Sequence, residues 1–377
     1  MTMVEAMKAG RISRKELAQR LKEDIYRHER KVGDRVGSVR QLALRYQAST
    51  LTIARMLEDM IAEGLLCHDE NGWFRLLKEP PVLPRIGYAG FPLLPHGSMD
   101  CLLEDATRKL YREMEKLEIP PRIIGFHELR DAEKGRARLK GINGLLLSEA
   151  FVDEITMRLI RELDIPIVRI GQAFADDMKL ACSEVVQFFD LALEKFAAYC
   201  DLKSYRRIMV AHHSHYDNSV KLKQKINSFF KKKVPDMPIE NVVTQQGGDW
   251  KDAEMAAFCV FQEMDPQSWK DTLLVSMSDY CTHGICRALR NKGELPDILS
   301  VDNLEGYGQS TLFPEPYLTA IDRNMGQIFC DALKLLCEQV RNRDERRIVI
   351  KVPAKLVIRK SITHINANWK DDTKDGQ

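Results

Sequence analysis

From Arg85 almost to the end of the chain, short and nearly continuous apolar runs alternate with segments of helical period, and no other feature restricts the fold so tightly. Strands that are apolar on both faces belong to parallel sheets covered on each side by helices, because a strand with one wet face alternates apolar and polar residues. The first set of runs is 86–89, 122–126, 142–147 and 165–170, and the second is 208–211, 241–244, 272–275 and 297–301. Two such sets predict an α/β domain of two lobes. Its cleft would lie at the carboxyl ends of the strands, where sheets of this kind bind ligands.

A chain of 377 residues exceeds what one hydrophobic core organises. The proline-rich stretch 80–84 breaks both helix and strand, so it is read as a linker between a domain of residues 1–79 and one of 85–365. Residues 366–377 are polar and charged and are expected to form a disordered tail.

The first domain has a different pattern. Leu17, Leu21 and Ile25 recur at helical spacing over 14–28. Ser38 and Gln41 form a capping box that opens a short second helix ending near Tyr46. Ser49 can cap a third, whose stripe of Ile53, Met56, Leu57, Met60 and Ile61 runs up to Gly64. Two short helices joined by a turn of three to four residues predict a helix-turn-helix. Downstream, residues 65–68 and 73–77 flank Asn71-Gly72, a two-residue hairpin signal that asks for positive φ at both turn positions. The hairpin would be a wing. Residues 11–55 hold 12 Lys/Arg against 5 Asp/Glu, an excess hidden by the net charge of +2 and suited to neutralising phosphates. The competing reading is a helical packing module with a solvated basic face.

These residues resemble a known family. The stretch 33–43 (Gly-Asp-Arg-Val-Gly-Ser-Val-Arg-Gln-Leu-Ala), then 52–57 and 63–66, is similar to the DNA-binding domain of the gluconate-repressor (GntR) family over about 65 residues in one register. The resemblance implies that Arg40 contacts phosphate or groove at the start of the second helix. It places Ser49, Thr50 and Thr52 at the start of the recognition helix, and Gly72 at a wing tip near the minor groove. Three positions depart from the family pattern: Gly37 replaces a proline, and Thr50 and Ala54 replace arginines, with Arg55 as a candidate to compensate.

The second domain resembles the effector domain of the lactose/galactose-repressor family, itself similar to periplasmic sugar-binding proteins. The residues that carry this are 142–148, 165–168, Ser278-Asp279-Tyr280 with Gly284, 300–303, 316–321 and a closing strand over 352–361. The resemblance implies that Asp279 accepts hydrogen bonds from sugar hydroxyls and that Trp250 packs on the sugar ring, two acceptor oxygens and an indole face being suited to those tasks. The competing readings are a helix N-cap for Asp279 and a packing aromatic for Trp250. An arginine usual early in the helix after the second lobe's first strand is replaced by Lys221 or Lys223, a point charge without the planar fork. Phe91, His96, Ser148, Glu149, Arg169 and Gln172, with Asp302 in the second lobe, complete the candidate cleft residues.

No run of the 18 or so apolar residues that a membrane helix needs is present, and no export signal opens the chain, so a cytoplasmic location is expected. The nine cysteines are never spaced C-x-x-C and read as reduced, mostly buried small hydrophobes, while the His212-His213-Ser214-His215 cluster reads as a strand-end loop rather than a metal site. No nucleophile elbow, phosphate loop, dinucleotide fingerprint or H-E-x-x-H motif occurs. The expectation is therefore a transcription regulator without cofactor or metal, a repressor of carbohydrate-utilisation genes. It would be a homodimer on duplex DNA, its operator affinity controlled by a small ligand, a sugar. The alternative is a sugar-active enzyme or sugar-binding receptor on the same scaffold.

Overall fold

The computed structural model describes residues 13–369 except 28–29, 79–82, 91–100, 149–152, 173–181, 214–216, 247–251, 266–268, 270, 291, 294, 309–311 and 343. Along the chain the first change of compact unit falls between Pro84 and Arg85.

The head comprises α1 (Arg14–Arg27), α2 (Val39–Tyr46), α3 (Thr50–Ala62) and the antiparallel pair β1 (Leu66–His68) and β2 (Phe74–Leu76). Both halves of the capping box form: the Ser38 hydroxyl accepts from the Gln41 amide at 3.2 Å, and the Ser38 amide donates to Gln41 Oε1 at 2.9 Å. Gln47 takes a left-handed conformation that ends α2, and the turn to α3 is Gln47-Ala48-Ser49. Leu17, Leu21, Ile25, Leu42, Ile53, Met56, Leu57 and Met60 close over Leu66 and Leu76 of the hairpin to make one core.

The hairpin differs from the expected two-residue turn. Only Gly72 has positive φ (+72°), because the Asp69 carboxylate organises a longer loop by accepting from the amides of Asn71 and Trp73, each at 2.9 Å. The Asp69 and Gly72 amides close it, on Trp73 O and Asp69 O respectively, also at 2.9 Å. Residues 33–36 add a third, unforeseen pairing: Gly33 N donates to Leu76 O, Leu76 N to Asp34 O and Val36 N to Phe74 O.

The body has two six-stranded sheets. The first lobe runs β3 (Ile86–Ala89), α4 (Cys101–Lys116), β4 (Arg122–Ile124), α5 (Phe126–Arg130), α6 (Ala132–Leu139), β5 (Gly144–Ser148), α7 (Glu154–Arg161), β6 (Ile167–Gln172) and β7 (Ser183–Phe188). The second runs α8 (Asp190–Tyr199), β8 (Arg207–His213), α9 (Asp217–Lys233), β9 (Ile239–Gln245), α10 (Ala253–Gln262), β10 (Thr272–Ser276), α11 (Asp279–Leu289), β11 (Asp297–Val301) and β12 (Thr319–Asp322). The chain then returns through α12 (Met325–Asn342), which stacks Phe329 edge-on against Tyr88 of β3, and gives one strand to each sheet, β13 (Val349–Pro353) and β14 (Lys355–Val357).

The strand orders are β13-β7-β6-β5-β3-β4 and β14-β12-β11-β10-β8-β9. Every neighbour pair is parallel except β12 with β14. Such ladders demand helical crossovers, which the intervening helices provide. The single closing strand expected over 352–361 is two strands in two sheets, since Val352 pairs with Gln187 while Lys355 pairs with Asp322. The second sheet is filled by Phe196, Ile208, Val210, Phe230, Leu273 and Val275 on one face. On its other face α10 and α11 approach closely at Gly284, where a Cβ would stand 2.0 Å from the Glu254 carbonyl oxygen. No helix among the described residues is long and apolar enough to cross a membrane.

The expected tail is docked in its first part. The Asn366 amide donates to Tyr199 O at 2.8 Å and the Trp369 ring meets Tyr199 edge-on at 5.4 Å, because an indole has apolar surface to bury. Residues 370–377 lie outside the described residues.

Candidate functional site

In the head, α3 opens on Ser49, whose hydroxyl accepts from the Thr52 amide at 3.1 Å and pairs with Thr52 Oγ1 at 2.7 Å. Both hydroxyls are thus engaged in capping, while Thr50 beside them is exposed. Arg40 on α2 and Arg55 on α3 are exposed, and no carboxylate pairs with either among the described residues; Arg45 instead lies 3.8 Å from Asp24. On the wing, Gly72 sits at the tip, and the Arg35 guanidinium stacks 4.6 Å above Trp73. That stack joins the residue before β2 to the segment 33–36, which carries no periodicity to reveal it. Leu51 in the first turn of α3 was not singled out by the sequence, although its position off the apolar stripe is visible there.

In the body, the candidates divide by sheet edge. Ser148 is the buried last residue of β5, and Gln172 is the last of β6, its side chain outside the description. Lys221 is half-buried on α9, and Asp302 directly follows β11. Phe91, His96, Glu149 and Trp250 lie outside the described residues.

Two expectations are corrected. Arg169 stands in mid-strand on β6 rather than at a strand end: it is 4% exposed and paired across to Glu184 of β7 at 2.8 Å, with Arg347 on the other carboxylate oxygen at 2.8 Å, while its own Nη1 is buried without a hydrogen-bond partner among the described residues. A buried guanidinium needs such a partner, and the neighbouring strand supplies it. Asp279 is wholly buried as the first residue of α11, whose N-cap is Ser278 rather than Asp279 itself. Its Oδ2 accepts the Leu304 amide at 2.6 Å and its Oδ1 is bonded to the Ser300 hydroxyl. Burial first, and the nearby Asp302 charge second, push its carboxyl up to about 8.

The hydroxyls around this carboxyl form one network. Thr282 Oγ1 donates to Ser278 O at 2.9 Å and lies 2.7 Å from Ser300 Oγ. The Ser300 hydroxyl donates to Asp279 Oδ1, which ties the carboxyl to β11. This relay fixes the end of β10 to the end of β11, where Asp302 (φ +110°) and Asn303 (φ +61°) hold left-handed backbone. Asp302 is retained there by its amide bond to Ile321 O at 3.0 Å and by an ion pair with Arg323 at 2.6 Å, a residue the sequence reading missed. Strain of this kind collects at functional sites.

His212 and His213 close β8 as strand residues rather than loop; burial lowers the His212 pKa and pushes the Cys281 thiol beside His213 up to about 12. Among the described residues no group of three or more His, Cys, Asp or Glu is placed to hold a metal. The lobes also touch: Leu102 of α4 lies in the second lobe's core beside Ala211 and Leu304, and Lys109 Nζ stands 5.9 Å over the ring of Tyr307, whose hydroxyl donates to Asp322.

No protein-family model matches the chain. The HTH-type transcriptional repressor PurR of Mannheimia succiniciproducens is 32% identical over 97 residues, 26% of this chain; the match spans only 29% of that protein's length. Among solved structures, a LacI-family regulatory protein from Chloroflexus aggregans superposes with TM-score 0.55 at 18% identity, covering 74% of this chain and 99% of its own. A LacI-family regulator from Enterococcus faecalis V583 with bound ribose gives 0.55 at 15%, covering 75% and 100%. The trehalose repressor from Escherichia coli gives 0.53 at 17%, covering 73% and 99%. These relatives do not support the gluconate-repressor assignment of the head, which keeps only its observed architecture of three helices and a hairpin. The chain carries the two-lobed parallel α/β fold of LacI-family transcription regulators.

Proposed function

We propose that this chain is a DNA-binding transcription regulator, a repressor of carbohydrate genes, whose operator affinity is set by a sugar in the cleft of the two-lobed unit. The observation that carries the reading is the conjunction, on one chain, of a helix-turn-helix presenting Arg40 and Arg55 without carboxylate partners among the described residues and a sensor-type fold. Solved neighbours are described with bound ribose and bound glucose, as a xylose-binding activator and as a trehalose repressor, which supports a sugar as effector and favours a regulator over an enzyme. The contact groups are Arg40, Thr50, Arg55 and Gly72 on duplex DNA, with Ser49 and Thr52 as caps. Ser148, Gln172, Lys221, Asp302, Phe91 and Trp250 remain the proposed cleft groups, with Asp279 positioning them. One head covers a half-site, so the working form is a homodimer on a pseudo-palindrome.

The test is fluorescence anisotropy of the full chain with a labelled duplex taken from a random library by repeated selection. The logarithm of affinity should fall linearly with that of salt concentration, and Arg40→Ala and Arg55→Ala should each flatten the slope by about 1. A salt-indifferent affinity would overturn the reading. Effectors are sought by thermal shift with ribose, glucose, xylose and trehalose, where a ligand at 100 times its Kd adds about 2.7 kcal/mol.

A further inference from the structure

Resting on the DNA-binding reading and going beyond its phosphate contacts, we infer that Leu51 is a base-reading residue that selects thymine in each half-site. Leu51 is 61% exposed in the first turn of α3, off the stripe of Ile53, Met56, Leu57 and Met60 that faces the head's core. A single exposed leucine is ordinary on a protein surface; its setting is what singles this one out. Of the hydroxyls around it, Ser49 and Thr52 are closed on each other at 2.7 Å and are committed to the helix cap, and Thr50 is exposed beside it. One turn on stands Arg55, exposed and without a carboxylate partner among the described residues, and residues 11–55 carry 12 Lys/Arg against 5 Asp/Glu. The charge fits a polyanion, and a side chain without hydrogen-bonding capacity sits amid it. Among the base edges of the major groove the one apolar group is the thymine 5-methyl. Leucine has nothing to offer the donors and acceptors of the other bases, whereas against that methyl it removes apolar surface from water on both sides.

The experiment uses the full chain and a duplex obtained by selection, with each thymine replaced in turn by deoxyuridine, which lacks only the methyl group. Wild type should lose about fourfold in affinity at one position per half-site, the value of one methyl-sized apolar contact. Leu51→Ala should bind with an unchanged salt slope and be indifferent to that same replacement. Leu44→Ala, which removes another exposed leucine (84%) from α2, should keep the thymine dependence. Salt-dependent binding with no uracil-sensitive position, or with a sensitivity that persists in Leu51→Ala, would overturn the inference and leave the DNA-binding reading standing. Failure to select any duplex would overturn both.

Discussion

Glu184→Ala should lower the stability of the two-lobed unit by about 3–5 kcal/mol, because it leaves the Arg169 guanidinium buried without a countercharge. The geometry is specific: Arg169 is 4% exposed, its Nη2 lies 2.8 Å from Glu184 Oε2, and the two residues are register partners on adjacent parallel strands. Arg347 reaches the same carboxylate from a half-exposed position and can turn to water when Glu184 is lost, whereas Arg169 cannot. At about 2–4 °C per kcal/mol for a unit of this size, the drop in Tm is on the order of 10 °C. The paired change Arg169→Met with Glu184→Leu should recover much of it, since an apolar pair of similar volume has no desolvation cost to meet. A Glu184→Ala protein within about 0.5 kcal/mol of wild type would mean that Arg169 reaches solvent, and would return it to the candidate cleft residues.

Asp279→Asn should leave stability near pH 5 almost unchanged and raise it above wild type near pH 8. In the folded chain burial keeps this carboxyl neutral up to about 8, against an ordinary value of 3.8. Between those values the unfolded chain holds the residue ionised while the folded chain holds it protonated. Unfolding therefore releases a proton, and stability falls as pH rises through that window. Asparagine has nothing to ionise: its Oδ1 keeps the bond from the Leu304 amide, and its Nδ2 faces Ser300 Oγ, whose hydroxyl turns to accept it. Thermal unfolding from pH 5 to 8 should show the wild-type Tm declining relative to that of the variant. If the variant is instead the less stable at pH 8, Asp279 is a carboxylate there and can serve as an acceptor for ligand hydroxyls.

Much of the head was legible because caps and turns are local chemistry. Ser38 with Gln41, and Ser49 ahead of a regular apolar stripe, state where α2 and α3 begin, and no distant residue alters that. The wing's third pairing was not legible, since 33–36 has neither strand periodicity nor β-branched enrichment and is held by backbone bonds to β2. In the body, eight strands showed as apolar runs. β7 did not, for Ser183, Glu184 and Gln187 read as surface and are buried only because Arg169, Arg347 and Met325 meet them. Arg169 misled in the complementary way, a charge inside an apolar run being taken for a strand end. For Asp279 the motif located the residue at the end of β10, but whether its carboxyl faces the cleft or the 3-10 turn at Leu304–Tyr307 depends on Ser300 and Leu304, more than 20 residues away in sequence.

Leu102 and Lys109 of the first lobe contact the second, so lobe placement is something a cleft ligand can bias, and a ligand shifts DNA affinity only as far as it prefers one placement. The direct test is the affinity of the full chain for its selected duplex, measured at constant salt with and without a sugar that raises Tm. A change of about 5- to 150-fold is expected, mirrored by an equal change in sugar affinity when DNA is bound. A sugar that binds the protein yet leaves its DNA affinity unchanged would contradict it.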